Sequence, residues 1–172
     1  MSVLNVFKFP DPILKKNCSE VTIFNPDLES FIKDLVETML SHQYCVGLAA
    51  PQVGNLQRII AIDISKARKP PVEALHATPL LVLINPVILE SSDFKIVREG
   101  CLSIPDFTAN VKRAMKIKIK FQNAKGTIEE LETYNFEAHA IQHEMDHLDG
   151  ILFLDKIANP AGDLFRRYVK QE

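Results

Sequence analysis

Tryptophan is absent, glycine is scarce at six residues, and cysteine occurs only three times in a chain of 172 residues. An odd number of cysteines without framework spacing argues against a disulfide-stapled secreted scaffold and favours a reducing, cytoplasmic setting. Long apolar runs are also missing. The most apolar stretch, residues 79–84, stops at Asn85-Pro86 and is far too short to span a bilayer. Lys8, Pro10, Asp11 and Pro12 interrupt the apolar N-terminus, so no secretory signal is expected. The formal net charge is -2, without the basic excess that direct DNA binding favours. No internal repeat or low-complexity tract is visible. What remains is 47% hydrophobic and 24% charged, the proportions of a globular protein. This length predicts one domain, residues 1–172, able to bury a core.

Periodicity divides the chain. Leu28, Phe31, Ile32, Leu35, Val36, Met39 and Leu40 recur at helical spacing. They predict a helix over 27–42, capped by Asn25 with Pro26 at the first position. Short Val/Ile/Leu-rich runs at 58–64, 80–85, 94–97 and 117–121 predict strands. Between 116 and 120, isoleucines alternate with lysines, the pattern of a strand with one wet face. Residues 66–71 read as a surface loop and 123–126 as a hairpin turn. Helical spacing returns at Phe136 and stops at Asp149-Gly150. A last helix is expected from Pro160 through the chain end, residues 160–172. Strands in a block between helices predict an α+β fold.

The segment His143-Glu144-Met145-Asp146-His147 carries the chemistry. On a helix, positions 143 and 147 lie one turn apart on one face, so two imidazoles can grip one ion. Glu144 can then reach a metal-bound water without being a ligand, the logic of H-E-x-x-H hydrolases. The bland alternative is a solvated, charged helix face. A catalytic site also needs a third protein ligand. His42 and His76 read as surface histidines. His139 shares the helix face but would splay away from an ion held by the other two. Cys101, just past a strand end, reads in isolation as a small buried apolar side chain.

Three segments, taken in order, change the weighing. They are Gly47-Leu48-Ala49-Ala50-Pro51-Gln52-Val53-Gly54, Glu99-Gly100-Cys101-Leu102-Ser103 and Gln142-His143-Glu144-Met145-Asp146-His147-Leu148. Together they resemble the three signature motifs of the peptide deformylase family, and the resemblance runs from Asp11 to Asp155. It implies antiparallel sheets packed around a central metal-binding helix, with an N-terminal and a C-terminal helix. It also implies a metal held by Cys101, His143 and His147. The implied ion is Fe2+, with Zn2+, Ni2+ or Co2+ as alternatives in isolated protein. The implied substrate is a nascent peptide beginning with N-formylmethionine, from which hydrolysis releases formate.

The residue types suit the roles this resemblance assigns. Glu144 is the general base and then the acid. The Gln52 amide and the Leu102 N–H donate to the oxyanion. Gly47 admits the substrate backbone, and the peptide lies extended beside Val46 and Gly100. Val97, Phe136, His139 and Ala140, with Val46, line the methionine pocket. Asp146 is expected to pair with a basic group such as Arg113.

Two positions depart from the family pattern. Cys45 stands where the first motif usually has glycine. Thr108 stands near where some bacterial members carry a peptide-holding arginine. The C-terminal helix, with Arg166, Arg167 and Lys170, is a candidate ribosome contact. Two rival readings are a zinc endopeptidase, which would use a third His or Glu ligand, and a non-catalytic binding module, which would lose Glu144 or Gln52.

Overall fold

The computed structural model describes residues 2–70 and 80–167. The chain opens with a short 3-10 turn and then α1, Pro26–Ser41. Asn25 caps α1 as its sequence predicts, its Oδ1 accepting from the Leu28 N–H at 2.9 Å, with Pro26 at the first helical position. Strands β1 (Gly47–Ala49), β2 (Ile59–Asp63), β3 (Leu80–Cys101), β4 (Ile104–Gln122) and β5 (Ile128–Tyr134) follow. Helix α2 (Asn135–Leu148), the one-turn α3 (Pro160–Asp163) and β6 (Leu164–Arg166) complete the chain.

Neighbouring strands pair antiparallel in the order β1-β2-β3-β4-β5, and β6 adds to β4. The architecture is α+β, as expected. β2 explains why a strand can read as a continuous apolar run, because both of its faces are buried. Ile60 and Ile62 pack with Ala138, Ile141 and Leu148 of α2. Ile59 and Ala61 pack with Leu28, Leu35 and Met39 of α1. β4 instead shows the predicted alternation. Ile117 and Ile119 are buried, while Lys116 and Lys118 reach Glu132 and Glu130 of β5 at 3.0 and 2.9 Å.

Two expectations are corrected. The runs at 80–85 and 94–97 belong to one strand, β3. It passes Asn85-Pro86 by a register shift between Ile84 and Val87, with Asn85 at φ 50°. A bulge lets a strand tolerate a proline that cannot donate to the ladder. Of the helix expected over 160–172, the described residues 160–167 form a single turn followed by a strand. Gly162 disfavours helix, and the Leu164-Phe165 pair gains a sheet partner in β4. The C-terminal helix expected to meet the ribosome is thereby reduced to α3 among the described residues. Finally, β1 is too short to announce itself in the sequence. Residues 71–79, including His76 and the end of the expected 66–71 loop, and residues 168–172 with Lys170, lie outside the described residues.

Candidate metal centre and active site

Helix α2 is clamped to the sheet before it presents any chemistry. Gln142 uses both ends of its amide on one residue of β4: Oε1 accepts from Ala114 N at 3.1 Å, and Nε2 donates to Ala114 O at 2.7 Å. One turn on, Arg113 Nη1 donates to Asp146 Oδ2 at 2.6 Å, the pairing expected for Asp146. Gly150, at φ 65°, ends the helix where the backbone of Lys15 leaves no room. A Cβ there would come within 2.6 Å of Lys15 O.

This clamp aims His143 and His147 at Cys101, the last residue of β3. The candidate ligand atoms of the three residues lie within 4.8 Å of one another, and all three residues are buried. Cys101 Sγ and His147 Nε2 are 3.3 Å apart. The two imidazoles stand nearly perpendicular, at 80°, with centroids 5.1 Å apart. His143 Nδ1 is engaged by Glu99 Oε2 at 2.9 Å, which leaves Nε2 as its donor. Two imidazoles and one thiol converging in a buried pocket fit a divalent transition metal. His42 caps α1, with Nδ1 2.8 Å from Thr38 O, and is not in this group. His139 packs edge-on against Phe136, with centroids 4.8 Å apart.

Electrostatics favour the ligand set. Burial opposes ionisation of the Cys101 thiol, but His147 and His143 outweigh it and hold it well below the usual thiol range. Burial likewise disfavours charge on His143, yet Cys101 and Glu99 hold that imidazole well above its ordinary value. Without metal the pocket thus balances thiolate against imidazolium. A cation takes over the role of those protons.

Glu144 is buried beside the ligands, and burial, partly offset by the two histidines, raises its carboxyl to about 7. Its carboxyl lies against Gly47 of β1, where a Cβ would come within 2.7 Å of Glu144 Oε1 and 2.8 Å of its Cγ. Glu144 Oε2 is buried without a hydrogen-bond partner. Gln52 comes from the 3-10 turn after β1 and is 1% exposed. Its Oε1 accepts from Ala49 N at 2.9 Å. That turns Nε2 toward Cys101 Sγ at 3.4 Å and Ser103 Oγ at 3.1 Å. Leu102 opens the two-residue turn between β3 and β4, directly after the cysteine.

Positions expected to touch substrate are placed less completely. Val46 immediately precedes β1, and its carbonyl accepts from Asp63 N at 2.8 Å. Val97, Glu99 and Cys101 alternate along β3 on one face, while Gly100 is exposed on the other. Phe136 and His139 are half-buried on α2, and Ala140 is 5% exposed. Cys45, which replaces the usual glycine, lies in the core. It is buried with Leu35, Met39 and Leu48, and its thiol donates to Gly47 O at 3.1 Å. Burial, followed by Glu144, pushes that thiol up to about 12, so it stays protonated at neutral pH.

Sequence reasoning gave Glu99 and Ser103 no role. Glu99 takes a bidentate pair from Arg113, Nε to Oε1 at 2.6 Å and Nη2 to Oε2 at 2.9 Å, and passes Oε2 on to His143. From Asp146 the chain of charges continues to Lys156 at 2.9 Å. Burial alone would raise Glu99, but Arg113 and His143 bring its carboxyl down to about 2. The available signal was an acidic residue two before the cysteine on a strand, the spacing that shares its face. Ser103 accepts from Gln52, and it is stitched from outside by Phe9 N to Ser103 O at 2.8 Å.

A family model for polypeptide deformylase matches residues 3–162. The chain belongs to the peptide deformylase family. It is therefore a metal-dependent hydrolase that removes N-formyl groups, and Cys101, His143 and His147 form its metal site. A peptide deformylase of Thermodesulfovibrio yellowstonii is 42% identical, covering 99% of this chain and 98% of its own. The crystal structure of the Thermotoga maritima peptide deformylase superposes with a TM-score of 0.80 at 36% identity, over 91% of this chain and 99% of that one. A Met-Ala-Ser-bound peptide deformylase from Acinetobacter baumannii reaches 0.82 at 35% identity, over 90% and 98%.

Proposed function

We propose that residues 1–172 act as one catalytic domain that deformylates nascent peptides beginning with N-formylmethionine, with Glu144 as the proton carrier. The observation that carries this reading is the Glu144 carboxyl itself. It is buried beside His143 and His147, tight against Gly47, and has one oxygen free of protein partners. When bound, the metal supplies Lewis acidity and a water that is nucleophilic at neutral pH. Glu144 takes the proton of the attacking water and delivers it to the departing amine nitrogen. Gln52 Nε2, aimed by Ala49 N–H, donates to the developing oxyanion, together with the Leu102 N–H.

Open sheet edges support an extended peptide. Among the described residues β1 pairs only with β2, and the last residues of β3 pair only with β4. Gly47 and Gly100 thus sit on unpartnered edges, Gly47 against Glu144 and Gly100 next to Cys101, and a peptide can add to them as a strand. Val46, Val97, Phe136, His139 and Ala140 line the apolar side that takes methionine. The Met-Ala-Ser bound to the Acinetobacter baumannii protein is a peptide of the kind such a site would release.

We assign Fe2+ as the working ion on the family resemblance. One thiolate and two imidazoles also suit Zn2+, Ni2+ or Co2+ in purified protein. Three free cysteines fit a reducing cytoplasm. Among the described C-terminal residues, the exposed Arg166 of β6 is the basic group left for the ribosome contact expected of this segment.

Glu144→Gln tests the assignment. Metal content should be retained while kcat for formate release from formyl-Met-Ala-Ser falls by about 100-fold or more. Full activity in this variant would remove Glu144 from the mechanism. Tight binding of formyl peptides by the wild type without turnover would instead favour the binding-module reading.

A further inference from the structure

The C-terminal strand brings an unused cation to the edge where the substrate would run. β6 pairs with β4 in the register Phe107 to Arg166, Thr108 to Phe165 and Ala109 to Leu164. Thr108 in turn pairs with Gly100 of β3. Paired residues share a face and successive residues alternate. Gly100, Thr108 and Phe165 therefore face one way, and Arg167, two residues beyond Phe165, faces with them. Glu99, Cys101 and Ala109 face the other way and are buried.

On that outer face Gly100 leaves a space, and the guanidinium of Arg167 occupies it. A Cβ on Gly100 would collide with Arg167 Nη2. It would lie 3.2 Å from Arg167 Cζ and 3.4 Å from Thr108 Cγ2. Backbone geometry holds this arrangement, with Arg167 N donating to Asp106 O at 2.7 Å.

The nearby charges are accounted for. Arg98 is committed, its guanidinium 3.3 Å from the Phe165 ring centroid. Its Nε donates to Asn110 Oδ1 at 3.0 Å and its Nη1 to Thr108 Oγ1 at 3.3 Å. Asp163 accepts from Asn110 at 3.1 Å, and Glu99 is tied to Arg113 and His143 on the opposite face. Asp106 is exposed and meets Arg167 through its backbone carbonyl. Arg167 itself is exposed and makes no ion pair with a described carboxylate.

We propose that Arg167 is a specificity-determining residue that reads the side chain directly after formylmethionine and favours aspartate or glutamate there. This rests on the extended-peptide reading above. A strand beside Gly100 that turns its methionine toward α2 must turn its next side chain to the outer face, where Arg167 waits. Thr108 carries no charge, so the cation beside Gly100 on this face is that of Arg167.

The test is a ratio: kcat/KM for formyl-Met-Glu-Ser over formyl-Met-Gln-Ser. In the wild type the ratio should be about five, the scale of an exposed ion pair, and should reside in KM rather than kcat. It should shrink toward unity at high salt. Arg167→Gln should bring it to about one, and Arg167→Glu should shift preference to formyl-Met-Lys-Ser. Because both peptides meet the same protein preparation, a loss of folded enzyme cancels. A wild-type ratio near one, or an unchanged ratio in Arg167→Gln, would overturn the role of Arg167 alone. Absence of formate from both peptides would overturn the underlying reading instead.

Discussion

Two small contacts control the reactive groups. The first is the approach of Glu144 to Gly47. Since a Cβ would come within 2.7 Å of the carboxylate oxygen, Gly47→Ala must displace the Glu144 carboxylate or the strand. A misplacement of about 1 Å costs on the order of 100-fold in rate. A fall of that size in kcat, with metal content unchanged, is the expected outcome, and steady-state kinetics with metal analysis checks it. The second contact is Glu99 on His143. The carboxylate fixes the imidazole so that Nε2 faces the metal, and the bidentate Arg113 pair fixes the carboxylate. Partners of this kind contribute about 10- to 100-fold in metal affinity. Glu99→Gln should weaken metal binding on that scale in a competition titration with a chelator. Unaltered affinity would make the contact structural only.

Among the elements, α1 and α2 were legible, while the strands and the C-terminal segment were only partly so. α1 announces itself by seven apolar residues at helical spacing and by the Asn25-Pro26 start. Asn25→Ala should lower stability by about 1 kcal/mol in denaturant unfolding while leaving formate release intact, because α1 packs on the far side of β2 from α2. β3 was split in the sequence because a proline normally ends a strand, and the bulge that rescues it depends on the partner β4. β1 and β6, three residues each, carry no periodicity of their own and exist because β2 and β4 offer them edges. The C-terminal segment shows the same dependence on tertiary pairing.

For the whole molecule, the candidate site is a meeting of three distant segments, which were visible for two different reasons. The two histidines were legible from spacing alone. Cys101 and Gln52 were legible only through the family resemblance, since a lone buried cysteine and a lone glutamine point nowhere. The structure then explains how the segments stay in register. The N-terminal segment bonds from Phe7 N to Gln52 O and from Phe9 N to Ser103 O, both at 2.8 Å, stitching the turn after β1 to the turn after β3. α2 is held on β4 by Gln142 and Asp146. Glu99 and Arg113, with Asp146 and the exposed Lys156, extend the metal site into a chain of charges from the core to the surface that no single segment predicts.

Cys101, His143 and His147 form the site of a metal required to remove formyl groups. Anaerobic metal analysis paired with formate release from formyl-Met-Ala-Ser tests this most directly. About one metal ion per chain is expected. Turnover should be abolished by chelation and restored by Fe2+, and both metal and turnover should be lost in Cys101→Ala. Undiminished formate release from metal-free protein, or none from anaerobically prepared, iron-loaded protein, would contradict the account.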